Sequence, residues 1–173
     1  MIDKKVSLDD DVRKYLHGDY ATLQYQNHPV RPGDLASHTS ALPAYRILRR
    51  FDESTPQAAA AFFKTYAIDS FLTDISKVKL DTIPRIRYTY STMDFNLLAY
   101  ILSNVYHQPF PGLLQQFITK PLGMKNTKSF LSVTNRKNFP ESYNAQGILQ
   151  PDITGPFICF AGNLYPDITL YPG

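Results

Sequence analysis

The segment RIRYTYSTMDFNLLAYIL, residues 85–102, constrains the fold most, because its periodicity changes part-way along. Its first half is rich in β-branched and aromatic residues, as an extended strand is. Its second half sets Leu97, Leu98, Ile101 and Leu102, with Val105 just beyond, on one face of a helix. Ser91 followed three residues later by Asp94 fits a capping box, which predicts a helix start close to Ser91. Tyr88, Tyr90, Ser91 and Thr92 crowd the join. A tyrosine just ahead of a helix N-terminus sits where the dipole favours negative charge. On the residues alone two readings stand: a packed strand tyrosine followed by a serine cap, or a reaction centre that uses the hydroxyls of 88–92.

The other elements are mostly helical. Leu8, Val12, Tyr15 and Leu16 recur at helical spacing after Ser7, with acids in the first turn, and His17-Gly18 closes that stretch. GDLASHTSALP predicts a short helix stopped before Pro43. TPQAAAAFFKTYA, residues 55–67, has a Thr cap, proline at the first helical position and alanines behind it. A further helix is predicted in PGLLQQFITKPLG, after Phe110 and ending at the 121–123 turn. Beyond Lys125 the pattern breaks into loops and small strands.

A hydrophobic content of 43% over 173 residues permits one domain with a real core. The net charge of +3 is dispersed, with no basic stripe, which argues against a nucleic-acid partner. Cys159 stands alone, so no intrachain disulfide can form. No apolar run is long enough to cross a bilayer. The opening residues lack the apolar middle of a signal peptide, so either the protein stays where it is made or its beginning is missing.

Dinucleotide, P-loop, zinc and nucleophile-elbow signatures are absent. His17, His28, His38 and His107 lie far apart and mostly beside turns, which favours surface or capping roles over metal ligation. The acids of LDDDV read as complements to a helix dipole, so no metal and no cofactor is expected. The one S-x-x-K, Ser76 to Lys79, has short polar flanks and reads as a solvated turn, because a lysine acting as base must be desolvated.

Five ordered segments resemble the serine β-lactamase-like family of class C type, which also holds penicillin-binding D,D-peptidases, D-aminopeptidases and family VIII esterases. VSLDDDVRKYL is similar to its LSLDDPVSKYLP segment, and VRPGDLASHTSALP to ITIRHLLTHTSGLP, with Ala41 where glycine is usual. IPRIRYTYSTMDFNLLAYIL follows PGTxFxYSNxGYxLLGxII, FITKPLGMKNTKSF follows IFKPLGMKNTxF, and CFAGNLYPDITLY resembles PAGGLYSTAxDLAKF. The resemblance implies that Tyr90 is the catalytic motif tyrosine, exchanging a proton with the nucleophilic serine and the leaving group. Thr92 stands at the motif's asparagine, which binds the substrate amide, and Ser91 at the variable middle position.

Departures accompany these matches. Thr92 has one hydroxyl in place of a carboxamide and cannot offer the same donor–acceptor pair. Arg85 and Ile86 replace the usual Gly-Thr, and Asp94 and Asn163 replace two further glycines, each loss a source of strain where φ must be positive. The family's Ser-x-x-Lys precedes the LSLDD segment and its Lys-Thr-Gly or His-x-Gly follows the GGLYS segment; neither occurs at its place here, and Ser76–Lys79 lies on the wrong side of HTSALP to be the missing Ser-x-x-Lys.

The implied fold is therefore mainly α: the helical lobe of the α+β serine β-lactamase/D,D-peptidase fold, over about residues 1–130, with irregular loops and short strands over about 131–173 and most of the central antiparallel sheet missing. The implied function is a fragment of a serine hydrolase acting on a small-molecule or peptide substrate, inactive alone. The alternative is a catalytically dead binding or scaffolding domain of the same family. An extracytoplasmic location and self-association through an uncovered apolar face follow from the same resemblance.

Overall fold

In a computed structural model the described residues are 3–43, 56–125, 127, 141, 143 and 147–149. The chain divides into two compact units, Met1–Arg49 with Ile68–Phe110, and Arg50–Ala67 with Pro111–Gly173.

The first unit opens with a single 3-10 turn, Val12–Tyr15, capped by the Asp11 carboxylate, which accepts from the Arg13 N–H at 2.9 Å. The expected longer helix does not form. Leu8 is half exposed, so the Leu8/Val12/Leu16 stripe has no common face to bury. A two-residue hairpin follows, β1 (Gln24–Tyr25) antiparallel to β2 (His28–Pro29), with Tyr25 opposite His28. Its turn residues Gln26 and Asn27 both have positive φ, 48° and 65°, the geometry that suits the twist of a tight hairpin. Helix α1 (Pro32–Ala36) begins on a proline and is shorter than predicted, ending at Ser37.

Helix α2 (Pro56–Thr65), in the second unit, matches its predicted span with proline at the first position; Thr55 lies outside the described residues. Helix α3 (Ile68–Lys77), in the first unit, was not foreseen; it buries Phe71 and Ile75 one turn apart. Its Ser76 hydroxyl donates back to the Thr73 carbonyl at 2.8 Å, and Lys79 is exposed past the helix end. Those two side chains therefore do not share a helical face, though Ser76 lies in the last turn of α3 and not in the expected solvated turn.

Helix α4 (Thr92–Tyr106) is the axis of the first unit, packing on α1 and on the 3-10 turn. Met93, Leu97 and Ile101, four residues apart, are fully buried with Val6, Val12, Leu23, Val30, Leu35, Leu42, Phe71 and Ile75. Burying each such side chain is worth about 1.5–3 kcal/mol, so this core holds the helix in place whatever its ends do. His107, at φ 52°, ends it in the left-handed region.

Helix α5 (Phe110–Leu114) runs into one π-helical turn, Gln115–Thr119, before Gly123 turns the chain at φ 65°. The expected loops and strands of the last third fall largely outside the described residues; among those described, Tyr143 and Leu149 form one antiparallel bridge. Among the described residues the chain is helix-rich with one two-stranded sheet. No described helix is long and apolar enough to cross a membrane.

Candidate active site

The expected strand does not form: residues 87–90 carry no regular secondary structure as they lead into the N-terminus of α4, and two main-chain hydrogen bonds fix their approach. The Arg85 N–H donates to the Thr39 carbonyl at 2.8 Å, and the Thr89 N–H to the His38 carbonyl at 2.9 Å. Both ties use peptide atoms, so the strap lies along 38–39 whatever its side chains are. Arg85 (φ 77°), His38 (φ 55°) and Ala41 (φ 64°) all occupy the left-handed region. The strain expected from replacing glycine is thus present at Ala41 and Arg85. Asp94 sits inside a regular helix and carries none; Asn163 lies outside the described residues.

Tyr90 is 57% exposed, so its phenol faces solvent just before the helix. Its ring rests on the His38 imidazole, with centroids 4.7 Å apart and planes tilted by 51°. Phe95 lies 4.8 Å and Tyr88 6.1 Å from the same imidazole. Thr92 is the first residue of α4 and is partly buried. Tyr90 and Thr92 therefore flank Ser91 at one helix end.

Ser91 is the N-cap residue, as predicted, but the capping box does not form. Its hydroxyl instead donates to the Pro43 carbonyl at 2.7 Å. Asp94, fully buried, turns away from the helix end toward the 38–42 loop. There its Oδ1 accepts the Ser40 hydroxyl, and its Oδ2 lies 3.0 Å from His38 Nδ1. The Ser91 N–H also points at Nδ1, at 3.4 Å, and Ser40 Oγ accepts the Leu42 N–H at 2.9 Å. The competition is decided by burial: a short acid on the apolar face can leave water only if every lone pair and proton finds a partner.

Burial raises the Asp94 carboxyl from 3.8 to about 8; the Ser40 hydrogen bond opposes this and the nearby Asp34 charge reinforces it. Burial also lowers the His38 imidazole below its usual value, against the Ser91 hydrogen bond. At neutral pH the pair is therefore a carboxylic acid beside a neutral imidazole. With that protonation Oδ2–H donates to Nδ1, whose one lone pair the Ser91 N–H shares in the longer contact, Ser40 donates to Oδ1, and the imidazole proton sits on Nε2.

Sequence reasoning assigned His38 a surface or capping role and missed its contact with Asp94. The available signal was an acid on the apolar face: Asp94 shares the stripe of Leu97, Leu98 and Ile101 at spacings of three, four and seven. A separate concave region is lined by His28, Pro29, Arg31, Asp34, Pro84 and Arg85 and contains neither Tyr90 nor Thr92. No cluster of potential metal ligands occurs among the described residues.

Residues 2–166 match the family described as β-lactamase. The D-alanyl-D-alanine-carboxypeptidase/endopeptidase AmpH of Escherichia coli (strain K12) is 32% identical over 122 residues, covering 70% of this chain and 30% of that protein. A solved β-lactamase/D-alanine carboxypeptidase from Yersinia pestis is 31% identical at a TM-score of 0.64, over 79% of this chain and 37% of that one. A class C β-lactamase mutant, 17% identical, shares the fold at a TM-score of 0.67, over 92% of this chain and 40% of its own. The chain thus spans about a third of the length of the relatives it matches.

Proposed function

We propose that this chain, which belongs to the β-lactamase family, carries the tyrosine side of a serine-hydrolase active site. In the longer protein a serine attacks the carbonyl of a β-lactam, a D-amino-acid peptide or a small ester. The acyl-enzyme so formed is then released by water. Tyr90 takes the proton from the serine hydroxyl and returns it to the leaving group, and Thr92 binds the substrate amide. The observation that carries this reading is the placement of Tyr90: exposed, at a helix N-terminus, just after Thr89 and Arg85, whose backbone N–H groups are tied to the His38 and Thr39 carbonyls.

Acyl transfer also needs a base beside the nucleophile and amides to hold the oxyanion. In the family those belong to the Ser-x-x-Lys and to the late Lys-Thr-Gly or His-x-Gly strand; these 173 residues hold no Lys-Thr-Gly or His-x-Gly, and their one S-x-x-K, Ser76 to Lys79, follows HTSALP where the family's precedes the LSLDD segment. A tyrosine alone supplies a factor of about 10²–10⁴ and has nothing to act on. The chain is accordingly a helical lobe, over about residues 1–130, that works with a central sheet supplied from elsewhere, in an extracytoplasmic compartment, and is inactive alone. Without that sheet the lobe should expose an apolar face and self-associate, which size-exclusion chromatography reads directly.

Two measurements test this. The DNA flanking the coding region should hold a Ser-x-x-Lys upstream and a Lys-Thr-Gly or His-x-Gly downstream, in frame or behind a frameshift. A fluorescent penicillin or fluorophosphonate should leave the isolated chain unlabelled. A covalent adduct on one of its side chains, with turnover abolished by changing that residue, overturns the reading. Thr92 in place of asparagine favours the second reading, a catalytically dead binding or scaffolding domain. A monodisperse, cooperatively melting, unlabelled chain whose flanking DNA lacks both motifs would select it.

A further inference from the structure

The Asp94 carboxyl is a buried titratable group that the proposed reaction leaves unused, and it stands two side chains away from the Tyr90 phenol. It touches His38 at Nδ1, and the His38 ring is the surface on which Tyr90 rests. The imidazole is 12% exposed and bordered by Tyr88, Tyr90 and Phe95, so its orientation fixes the packing of all three rings. We propose that Asp94 is a positioning residue for Tyr90, acting through His38: its carboxyl proton fixes the imidazole in one tautomer and one orientation, and the tyrosine ring packs against the result. This rests on Tyr90 being the reacting tyrosine and extends that reading to a residue standing where the family's motif has glycine.

The groups facing Asp94 come from three elements. The 38–42 loop brings His38 and the Ser40 hydroxyl, the start of α4 brings the Ser91 N–H, and α1 brings Asp34, itself paired with Arg85. While Asp94 is protonated, Nδ1 accepts and Nε2 carries the proton. Removing the Asp94 proton sets carboxylate lone pairs against the lone pair of Nδ1. The imidazole then moves its proton to Nδ1 and leaves Nε2 bare. That reverses the polarity of the ring edge within the aromatic cluster, and the Ser91 N–H loses its acceptor. Tyr90 therefore senses the state of Asp94 with no contact between the two.

The test is NMR on this chain, with ¹⁵N-labelled histidine and ¹³C-labelled tyrosine, the Tyr90 ring signals being assigned by their loss in Tyr90→Phe. In the parent chain His38 should carry its proton on Nε2 at pH 6.5 and shift toward Nδ1 above about pH 8. The Tyr90 ring signals should move in the same step. Asp94→Asn can donate an amide N–H to Nδ1 but cannot titrate, so it should keep the His38–Tyr90 Overhauser contact and abolish the step. Asp94→Gly should lose the contact. Persistence of the step in Asp94→Asn, or an unchanged contact in Asp94→Gly, overturns the proposal. If Asp94→Gly does not fold, the parent titration decides, because a Tyr90 signal that ignores the His38 step is equally fatal. The measurement needs no turnover. Full activity of Tyr90→Phe in the longer protein would remove the catalytic reading while leaving this result standing.

Discussion

Two buried aspartates in the same unit meet the same problem in opposite ways. Asp34 is 1% exposed and Asp94 is fully buried. Asp34 meets charge with charge. Its Oδ2 accepts the Arg31 N–H at 2.9 Å at the start of α1, and its Oδ1 takes the Arg85 guanidinium at 2.6 Å. Among the described residues Asp94 has no arginine or lysine partner, only a hydroxyl, an imidazole and the opposing charge of Asp34, and it gives up its charge. The difference lies in the partner: a half-exposed arginine stays solvated on its far side, so that pair avoids most of the desolvation cost of a buried ion pair. Asp94, enclosed on all sides, becomes an acid that can donate.

The largest expected effect is from Asp94→Ala. It leaves the Ser40 hydroxyl and His38 Nδ1 without their partner and opens a void in the core, at a cost of about 3 kcal/mol in urea denaturation at pH 6. Asp34→Ala should cost less, about 1–2 kcal/mol, because the released Arg85 guanidinium returns to water. Equal or reversed costs would break the comparison.

A pH series sharpens it. The folded Asp94 carboxyl titrates at about 8 against 3.8 when unfolded, so the folded state holds the extra proton between those values. Its stabilising contribution is complete below 3.8 and is lost progressively as pH rises to about 8, with a slope of up to about 1.4 kcal/mol per pH unit. Asp94→Asn should flatten that slope. The smallest effect concerns the strained neighbours of each site. Ala41→Gly should raise stability by about 0.5–1 kcal/mol, since the left-handed cost exceeds the entropy glycine adds. Arg85→Gly, at a similar φ, should lower it, because the guanidinium goes with the strain.

What was legible in the sequence depended on distance along the chain. Pro56 at the first helical position and Ser91 ahead of an apolar stripe announced α2 and α4, because proline geometry and helical period act within a few residues. The 3-10 turn was overread as a helix, since spacing alone could not show that Leu8 stays in water. Helix α3 was missed because only Phe71 and Ile75 mark its buried face. The family and the place of Tyr90 and Thr92 at the head of α4 came from motif order. The Asp94 network was out of reach: it joins residues 54 and 56 positions apart, and three residues of separation offered Ser91 as the nearer partner.

The two peptide-to-peptide ties at Arg85 and Thr89 make Tyr90 an unusually clean place for chemical surgery. A splint made of backbone survives any exchange of side chain, so swapping phenol for phenyl deletes one oxygen while the carrier stays where it was. Whatever changes after that swap reports on the oxygen itself.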